Sequence, residues 1–226
     1  MNLSSKLAVL DRIYAIYDEF AVSLYLACKK YCSHCCTTGV TLTTVEGYKI
    51  IKKLESEGNT QWIEKIEQAS KQRHFQLKIT TNQLANMCAA GIEPPVEENT
   101  GWHICPFLTD DLCPLYTARP FGCRCLVSRH DCGKEGYAEV DDFVLSVNTL
   151  FLQTIEHIDA GGCTGNLLDL LGAMAVKKNR QAYANRKWEC LPAGLIANQP
   201  LKVLMIPPEH RTKMESILQS LRNIRI

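Results

Sequence analysis

Residues 7–24 read Leu7-Ala8-Val9-Leu10-Asp11-Arg12-Ile13-Tyr14-Ala15-Ile16-Tyr17-Asp18-Glu19-Phe20-Ala21-Val22-Ser23-Leu24. Leu7, Leu10, Tyr14, Tyr17, Ala21 and Leu24 recur at alternating steps of three and four, which draws one apolar stripe along a long helix. The same period returns further on. Thr43-Thr44-Val45-Glu46 is a capping-box pattern opening a second helix through Val45, Ile50, Ile51 and Leu54, and Gly58 ends it. A third helix is expected from near Thr60 through Trp62, Ile63 and Ile66, and a fourth from Thr81 to Ala90, stopping at Gly91. Asp141-Asp142 is the N-cap pair of a helix marked by Val144, Val147, Phe151, Ile155 and Ile158, and Asn166 caps the stretch Leu167–Val176. Pro208 sits in the first turn of a last helix whose face is Met214, Ile217, Leu218 and Leu221. Between these, 92–102 reads as a linker, His103 to Tyr116 as a small hairpin around Thr109-Asp110-Asp111, and Ala160 to Gly165 as a Gly-rich loop between helices. The fold class is mainly α.

With 226 residues the chain has room for one large domain or two small ones and for a full apolar core. It is 46% hydrophobic and 22% charged, which argues against disorder. Lys+Arg 25 against Asp+Glu 24 leaves a charge of +1, so the basic field that attracts nucleic acid is missing. Charges at Asp11, Arg12, Asp18 and Glu19 break the first apolar stretch, so neither a secretory signal nor a membrane span is expected there. The expectation is a cytoplasmic protein whose thiols stay reduced.

Twelve cysteines then become the informative feature. One cluster is Cys28-Lys29-Lys30-Tyr31-Cys32-Ser33-His34-Cys35-Cys36. If the first helix continues, Cys28 extends its stripe and Cys32, Cys35 and Cys36 gather on one side. If it breaks after Cys28, Cys32-x-x-Cys35 forms a tight knuckle of the kind zinc sites use. Adjacent Cys35 and Cys36 point apart, and both serve as ligands most easily where there is more than one metal ion. The second cluster is Cys105, Cys113, Cys123, Cys125 and Cys132. Neither has an evident fold of its own, so the two read as halves of one metal site, whose filling ties the N-terminal helix to the later segment. Four thiolates around Zn²⁺ carry a charge of −2, as does a four-cysteine [4Fe–4S]²⁺ centre. Lys29, Lys30, Arg119, Arg124, Arg129 and Lys134 are placed in sequence to offset it, with Arg119 and Arg124 expected to contact the cofactor. His34, His103 and His130 are substitute ligands. Cys88, Cys163 and Cys190 lack partners at ligand spacing and read as small core hydrophobes.

Cys28, Cys32-x-x-Cys35-Cys36, then Cys105-Pro106-Phe107-Leu108, Cys113-Pro114-Leu115-Tyr116, Arg119-Pro120 and Cys123-Arg124 resemble the YkgJ-type cysteine-cluster family, described as a zinc- or iron-chelating domain. The resemblance covers about residues 28 to 132. It implies that Cys28, Cys32, Cys35, Cys36, Cys105, Cys113, Cys123 and Cys132 form the metal site. Two departures are the three residues between Cys28 and Cys32, where some members have two, and the additional Cys125. The expected architecture is a single helical domain, 1–226, with a cysteine-rich hairpin and loop region organised around a metal site. Its cysteine cluster spans 28–132, and a C-terminal helical region, 141–226, packs on it. All-sulfur ligation and the thiol excess favour an iron–sulfur cluster slightly over zinc.

Cys28-x3-Cys32-x2-Cys35 also matches the cluster motif of radical adenosylmethionine enzymes, and the flagellin lysine methylase resembles the same module, so an adenosylmethionine-dependent enzyme is the rival reading. Against it stand the helix that leads into the motif and the lack of an alternating strand and helix pattern. No Ser/His/Asp or paired-carboxylate set is visible, since Asp110-Asp111 and Asp141-Asp142 read as turn and cap residues. The reading is therefore a metal-binding protein with catalysis left open.

Overall fold

The N-terminal stripe folds as α1 (Leu3–Val22) in a computed structural model that describes residues 1–29, 31–59, 61–72, 74–97, 103–189 and 193–224. Asn2 caps it by accepting the Ser5 N–H, and Val9, Leu10, Ile13, Tyr14 and Tyr17 form its buried face. The helix stops at Val22, before both Leu24 and Cys28. The described residues of the first cysteine cluster are therefore not helical, which rules out the continuing-helix arrangement of the two left open by the sequence, the break falling before Cys28.

Among the described residues the chain continues through β1 (Thr41–Thr43), α2 (Thr44–Ser56), α3 (Gln61–Ala69) and α4 (Thr81–Ala89). Two short helices follow, α5 (Phe121–Arg124) and α6 (Cys132–Glu135), then the long α7 (Asp142–Ile158). β2 (Cys163–Asn166), α8 (Leu167–Ala175), α9 (Lys177–Ala184), β3 (Leu195–Ala197) and α10 (Arg211–Arg222) complete the order. The mainly α class holds. Caps stand where the residue types place them: Asp141 on α7, Asn166 on α8, and Gly58 and Gly91 in left-handed conformations after α2 and α4. The third helix agrees from Gln61 on, Thr60 lying outside the described residues. Pro208 opens a 3₁₀ turn, Pro208–His210, that leads into α10.

One expectation is overturned. Ala160 to Gly165 is not wholly a loop, because Cys163–Asn166 is the central strand of a three-stranded antiparallel sheet. Every residue of β2 is buried, with Thr41 opposite Asn166 on one side and Cys163 opposite Ala197 on the other. Gly165 allows this, since a Cβ there would lie 2.4 Å from Leu195 Cδ2 and 2.9 Å from the Gly194 oxygen.

Two apolar clusters fill the interior, and α2 faces both. Ile50, Ile51 and Leu54 join Trp62, Phe107 and Leu171 in the first. Val45 joins Tyr17, Phe121 and Phe151 in the second. Gly47 brings α2 close to α8, for a Cβ there would meet Leu170 Cδ2 at 2.3 Å.

The N-termini of α2 and α4 are held by buried carboxylates, each satisfying backbone N–H groups that a helix leaves open. Glu46 Oε2 accepts from the Thr43 N–H at 2.8 Å and the Thr43 hydroxyl at 2.9 Å. Its Oε1 accepts from the Tyr14 hydroxyl and the Phe121 N–H, both at 2.7 Å. Asp159, at the end of α7, accepts the Val45 N–H at 3.1 Å, pairs with Lys6 at 2.9 Å and takes the Tyr183 hydroxyl. Glu156 accepts from the Thr80 hydroxyl and the Asn82 and Gln199 N–H groups. Burial pushes the Glu156 and Asp159 carboxyls above their ordinary range, against these donors. Among the described residues no helix is long and apolar enough to cross a membrane.

Glu46→Ala leaves two backbone N–H groups and two hydroxyls without their acceptor. It is expected to lower the unfolding free energy by about 3 kcal/mol or more. Lys52→Ala, on the exposed face of α2, should change it by less than about 0.5 kcal/mol. Equal urea midpoints for the two variants would contradict the bridging role of Glu46.

Candidate metal centre

After α1 the chain runs without regular structure to Cys28, where it meets the segment that follows α5. Ala27 donates its N–H to the Ser128 oxygen at 2.9 Å, and Cys28 Sγ lies 4.0 Å from the same oxygen. Two turns then carry the remaining thiols of the first cluster. One closes from the Cys32 N–H to the Lys29 oxygen at 3.1 Å, with Tyr31 at φ +70°, and the next from the Cys36 N–H to the Ser33 oxygen at 2.8 Å.

The strand-like stretch after Cys36 pairs with the start of the second cluster. Cys105 donates its N–H to the Cys36 oxygen at 3.0 Å, Thr38 donates to the His103 oxygen at 2.8 Å, and Thr37 faces Ile104 in an antiparallel bridge. The sheet holds this stretch from the other side, because Asn166 Nδ2 donates to the Thr38 oxygen at 2.6 Å and the Leu167 N–H to the Val40 oxygen at 2.8 Å. The two cysteine-bearing stretches, distant in sequence, thus lie side by side.

Cys105 and Cys113 occupy equivalent turns. In Cys105-Pro106-Phe107-Leu108 the Leu108 N–H reaches the Cys105 oxygen at 3.0 Å, and in Cys113-Pro114-Leu115-Tyr116 the Tyr116 N–H reaches the Cys113 oxygen at 3.1 Å. Proline at the second position presets such a turn. The third residue is buried each time, Phe107 and Leu115, and its N–H donates to the cysteine sulfur. Between the turns Thr109 and Leu112 exchange two backbone bonds of 2.9 Å across Asp110 and Asp111, both at positive φ. This is the expected hairpin, in its smallest form.

Cys123 is carried by α5. Phe121 anchors that helix, stacked on Phe151 at 5.5 Å and edge-on to Tyr17 at 4.7 Å between ring centroids. Gly122 lies against β1, where a Cβ would stand 2.5 Å from the Thr41 oxygen. Cys125 ends α5, with its oxygen accepting from Asn148 Nδ2 at 3.2 Å. Cys132 opens α6, and the His34 ring packs on the adjoining Gly133.

Electrostatically the thiols are mutual neighbours. Burial pushes Cys105 up to about 11, with Cys113 adding to the effect and the Phe107 N–H opposing it. Burial likewise raises Cys28, Cys113 and Cys123, and lifts Cys125 to about 12. Cys35 donates its S–H to Cys36, which raises the first thiol and lowers the second. Arg119 opposes the rise at Cys35, Cys113 and Cys123. Its guanidinium lies 4.1 Å from the Tyr116 ring centroid, and its Nε is buried with no hydrogen-bond partner among the described residues. Such a donor suits an anionic centre at the thiols.

The other candidates are placed differently. Arg124 is turned to α1, bonding both Asp18 oxygens at 3.0 Å and the Arg119 and Thr117 oxygens at 3.1 Å. Arg129 pairs with Asp141 at 2.7 Å, while Lys29 and Lys134 are exposed and Lys30 lies outside the described residues. His130 directs its two ring nitrogens to Glu139 and the Tyr137 oxygen. His103 is exposed, its backbone paired with Thr38. Cys88 is exposed on α4, whose buried face is Asn82 and Ala85, so it is not core filler. Cys163 is fully buried, but its sulfur is disulfide-bonded and accepts the Trp188 Nε1–H at 3.0 Å. Cys190 lies outside the described residues. The donors to sulfur, Phe107 N–H and Leu115 N–H, escaped the sequence reading, although the repeated Cys-Pro-apolar pattern was their signal.

The thiols form a neighbourhood and not a closed cage: among the described residues no three His, Cys, Asp or Glu side chains stand where they could hold a metal ion. Comparison with protein families, curated proteins and solved structures finds no match for the chain.

Gly122→Ala tests how the fold places Cys123. Its methyl group meets backbone rather than a mobile side chain, so the variant should lose about 1–3 kcal/mol of stability, read by chemical unfolding. An unchanged midpoint would show that α5 does not rest on β1.

Proposed function

We propose that this chain is a metal-binding protein whose multi-cysteine region joins Cys28, Cys32, Cys35 and Cys36 to Cys105, Cys113, Cys123 and Cys132 around an inorganic centre. The observation that carries the reading is the Cys36–Cys105 backbone pairing, which sets two remote thiol-bearing stretches against each other. Two features of the donor set support it. Paired Cys-Pro turns aim backbone N–H groups at sulfur, and Arg119 offers a buried Nε–H, without a partner among the described residues, next to three of the thiols. Both stabilise sulfur that carries negative charge, which is the state a metal ligand must have.

All-sulfur ligation suits zinc or an iron–sulfur cluster, and the thiol excess favours the cluster. A cluster would supply one-electron transfer, and zinc a structural tie. The rival reading, a radical adenosylmethionine enzyme, receives less support. The sheet among the described residues is antiparallel, and the segment leading to Cys28 follows a helix rather than a strand.

Anaerobic purification followed by visible spectroscopy and elemental analysis tests the proposal. Iron with acid-labile sulfide is expected, and a colourless protein with stoichiometric zinc would keep the site but reject the cluster. Cys35→Ser and Cys123→Ser should lower metal content and reduce Tm by roughly 5–10 °C. Cys88→Ala should leave metal content unchanged. Equal metal content in all three variants would refute the ligand assignment.

A further inference from the structure

We infer that the outer edge of β3 is a docking site for an extended, acidic segment of a partner protein, which adds there as a further strand. The sheet order is β1-β2-β3, so β1 and β3 are its two edges. Their outward backbone groups meet different surroundings. On β1 the Thr43 N–H is taken by Glu46 Oε2, and Gly122 of α5 packs so closely that a Cβ there would stand 2.5 Å from the Thr41 oxygen. The edge of β3 has no such cover among the described residues.

Register shows which groups of β3 face away from the sheet. The Asn198 N–H reaches the Gly162 oxygen at 3.0 Å, so Asn198 and, two residues back, Ile196 turn their backbone groups to β2. The other side of β2 agrees. There the Leu167 N–H bonds the oxygen of Val40, just before β1, at 2.8 Å, which directs Gly165 to β1 and leaves Thr164 for Ile196. Leu195 and Ala197 therefore point outward, and their N–H and C=O groups make no hydrogen bond among the described residues. A row of such groups is a template for another strand. Leu195-Ile196-Ala197 also carries neither charge nor proline, the features that keep edges from pairing.

A cleft of about 840 Å³ opens beside this edge. Leu195 and Ile196 line one side, and Lys71, His74, Gln76 and Lys78 line the other. The carboxylate that lines it, Asp169, is withdrawn from an arriving chain. Its Oδ1 meets His74 Nε2 at 2.9 Å, and its Oδ2 is buried against Gly194, where a Cβ would stand 2.7 Å away. Lys71 and Lys78 are exposed, so the cleft presents positive charge beside unpaired backbone. Backbone pairing would supply affinity, and the lysines would select glutamate or aspartate side chains on the added strand.

Fluorescence-polarisation titration of the full chain, as purified, with short end-blocked peptides tests the inference. A peptide of alternating threonine and glutamate should bind, and its threonine–lysine counterpart should bind about tenfold more weakly. A threonine–glutamate peptide methylated at every backbone nitrogen keeps its charges but should also lose about tenfold or more, because it cannot donate to β3. Ala197→Pro removes one outward N–H while leaving the ladder to β2 intact, and should weaken the threonine–glutamate peptide by about three- to tenfold. Lys71→Glu should weaken that peptide and strengthen the threonine–lysine one. Equal affinity for the methylated peptide would overturn strand addition, and a preference for the lysine peptide would overturn the acidic partner. No binding of any peptide, or a wild-type dimer in sedimentation that Ala197→Pro dissociates, would overturn the inference as a whole, the second outcome assigning the edge to another copy of this chain. The methylated peptide needs no altered protein, so the question is decided even if Ala197→Pro fails to fold.

Discussion

A single buried carboxylate connects the parts of this molecule that matter for its thiols. Glu46, in the first turn of α2, accepts hydrogen bonds from α1 through Tyr14, from the end of β1 through Thr43, and from the start of α5 through the Phe121 N–H. β1 follows the first cysteine cluster and α5 carries part of the second, so one side chain sets both relative to the N-terminal helix. Burying a charge is unfavourable unless its lone pairs are occupied, and four donors occupy those of Glu46. Asp159 and Glu156 repeat the arrangement from α7, at the N-termini of α2 and α4.

The helices were legible in the sequence because their signals are local, and the sheet was not. Helix period survives in α1, α2, α7 and α10 because each buries one face, and caps such as Thr43, Asp141 and Asn166 act locally. β2 reads Cys-Thr-Gly-Asn, four residues buried on both faces, and so shows no alternation to recognise. Its identity comes from partners far away in the chain. The end of α1 was misjudged for a related reason: the spacing of Leu24 and Cys28 continues the stripe, but the backbone after Val22 is drawn off to pair with Ser128.

The candidate site was legible as a set of thiols but not as a geometry. Spacing singled out Cys28 to Cys36 and Cys105 to Cys132, and the fold brings these stretches together through Thr37, Thr38 and Cys105. Which basic residue faces them was beyond sequence reasoning. Arg119 and Arg124 are five residues apart, yet one lies beside the thiols and the other reaches back to Asp18. Short-range burial explains the difference, since Tyr116 lies under the first guanidinium and Tyr14 under the second.

Metal-edge X-ray absorption on the anaerobically purified chain bears most directly on the proposed centre. The account predicts a first shell made of sulfur alone, at about 2.3 Å, as thiolate ligation requires. A shell dominated by nitrogen or oxygen, or no bound metal at all, would contradict it.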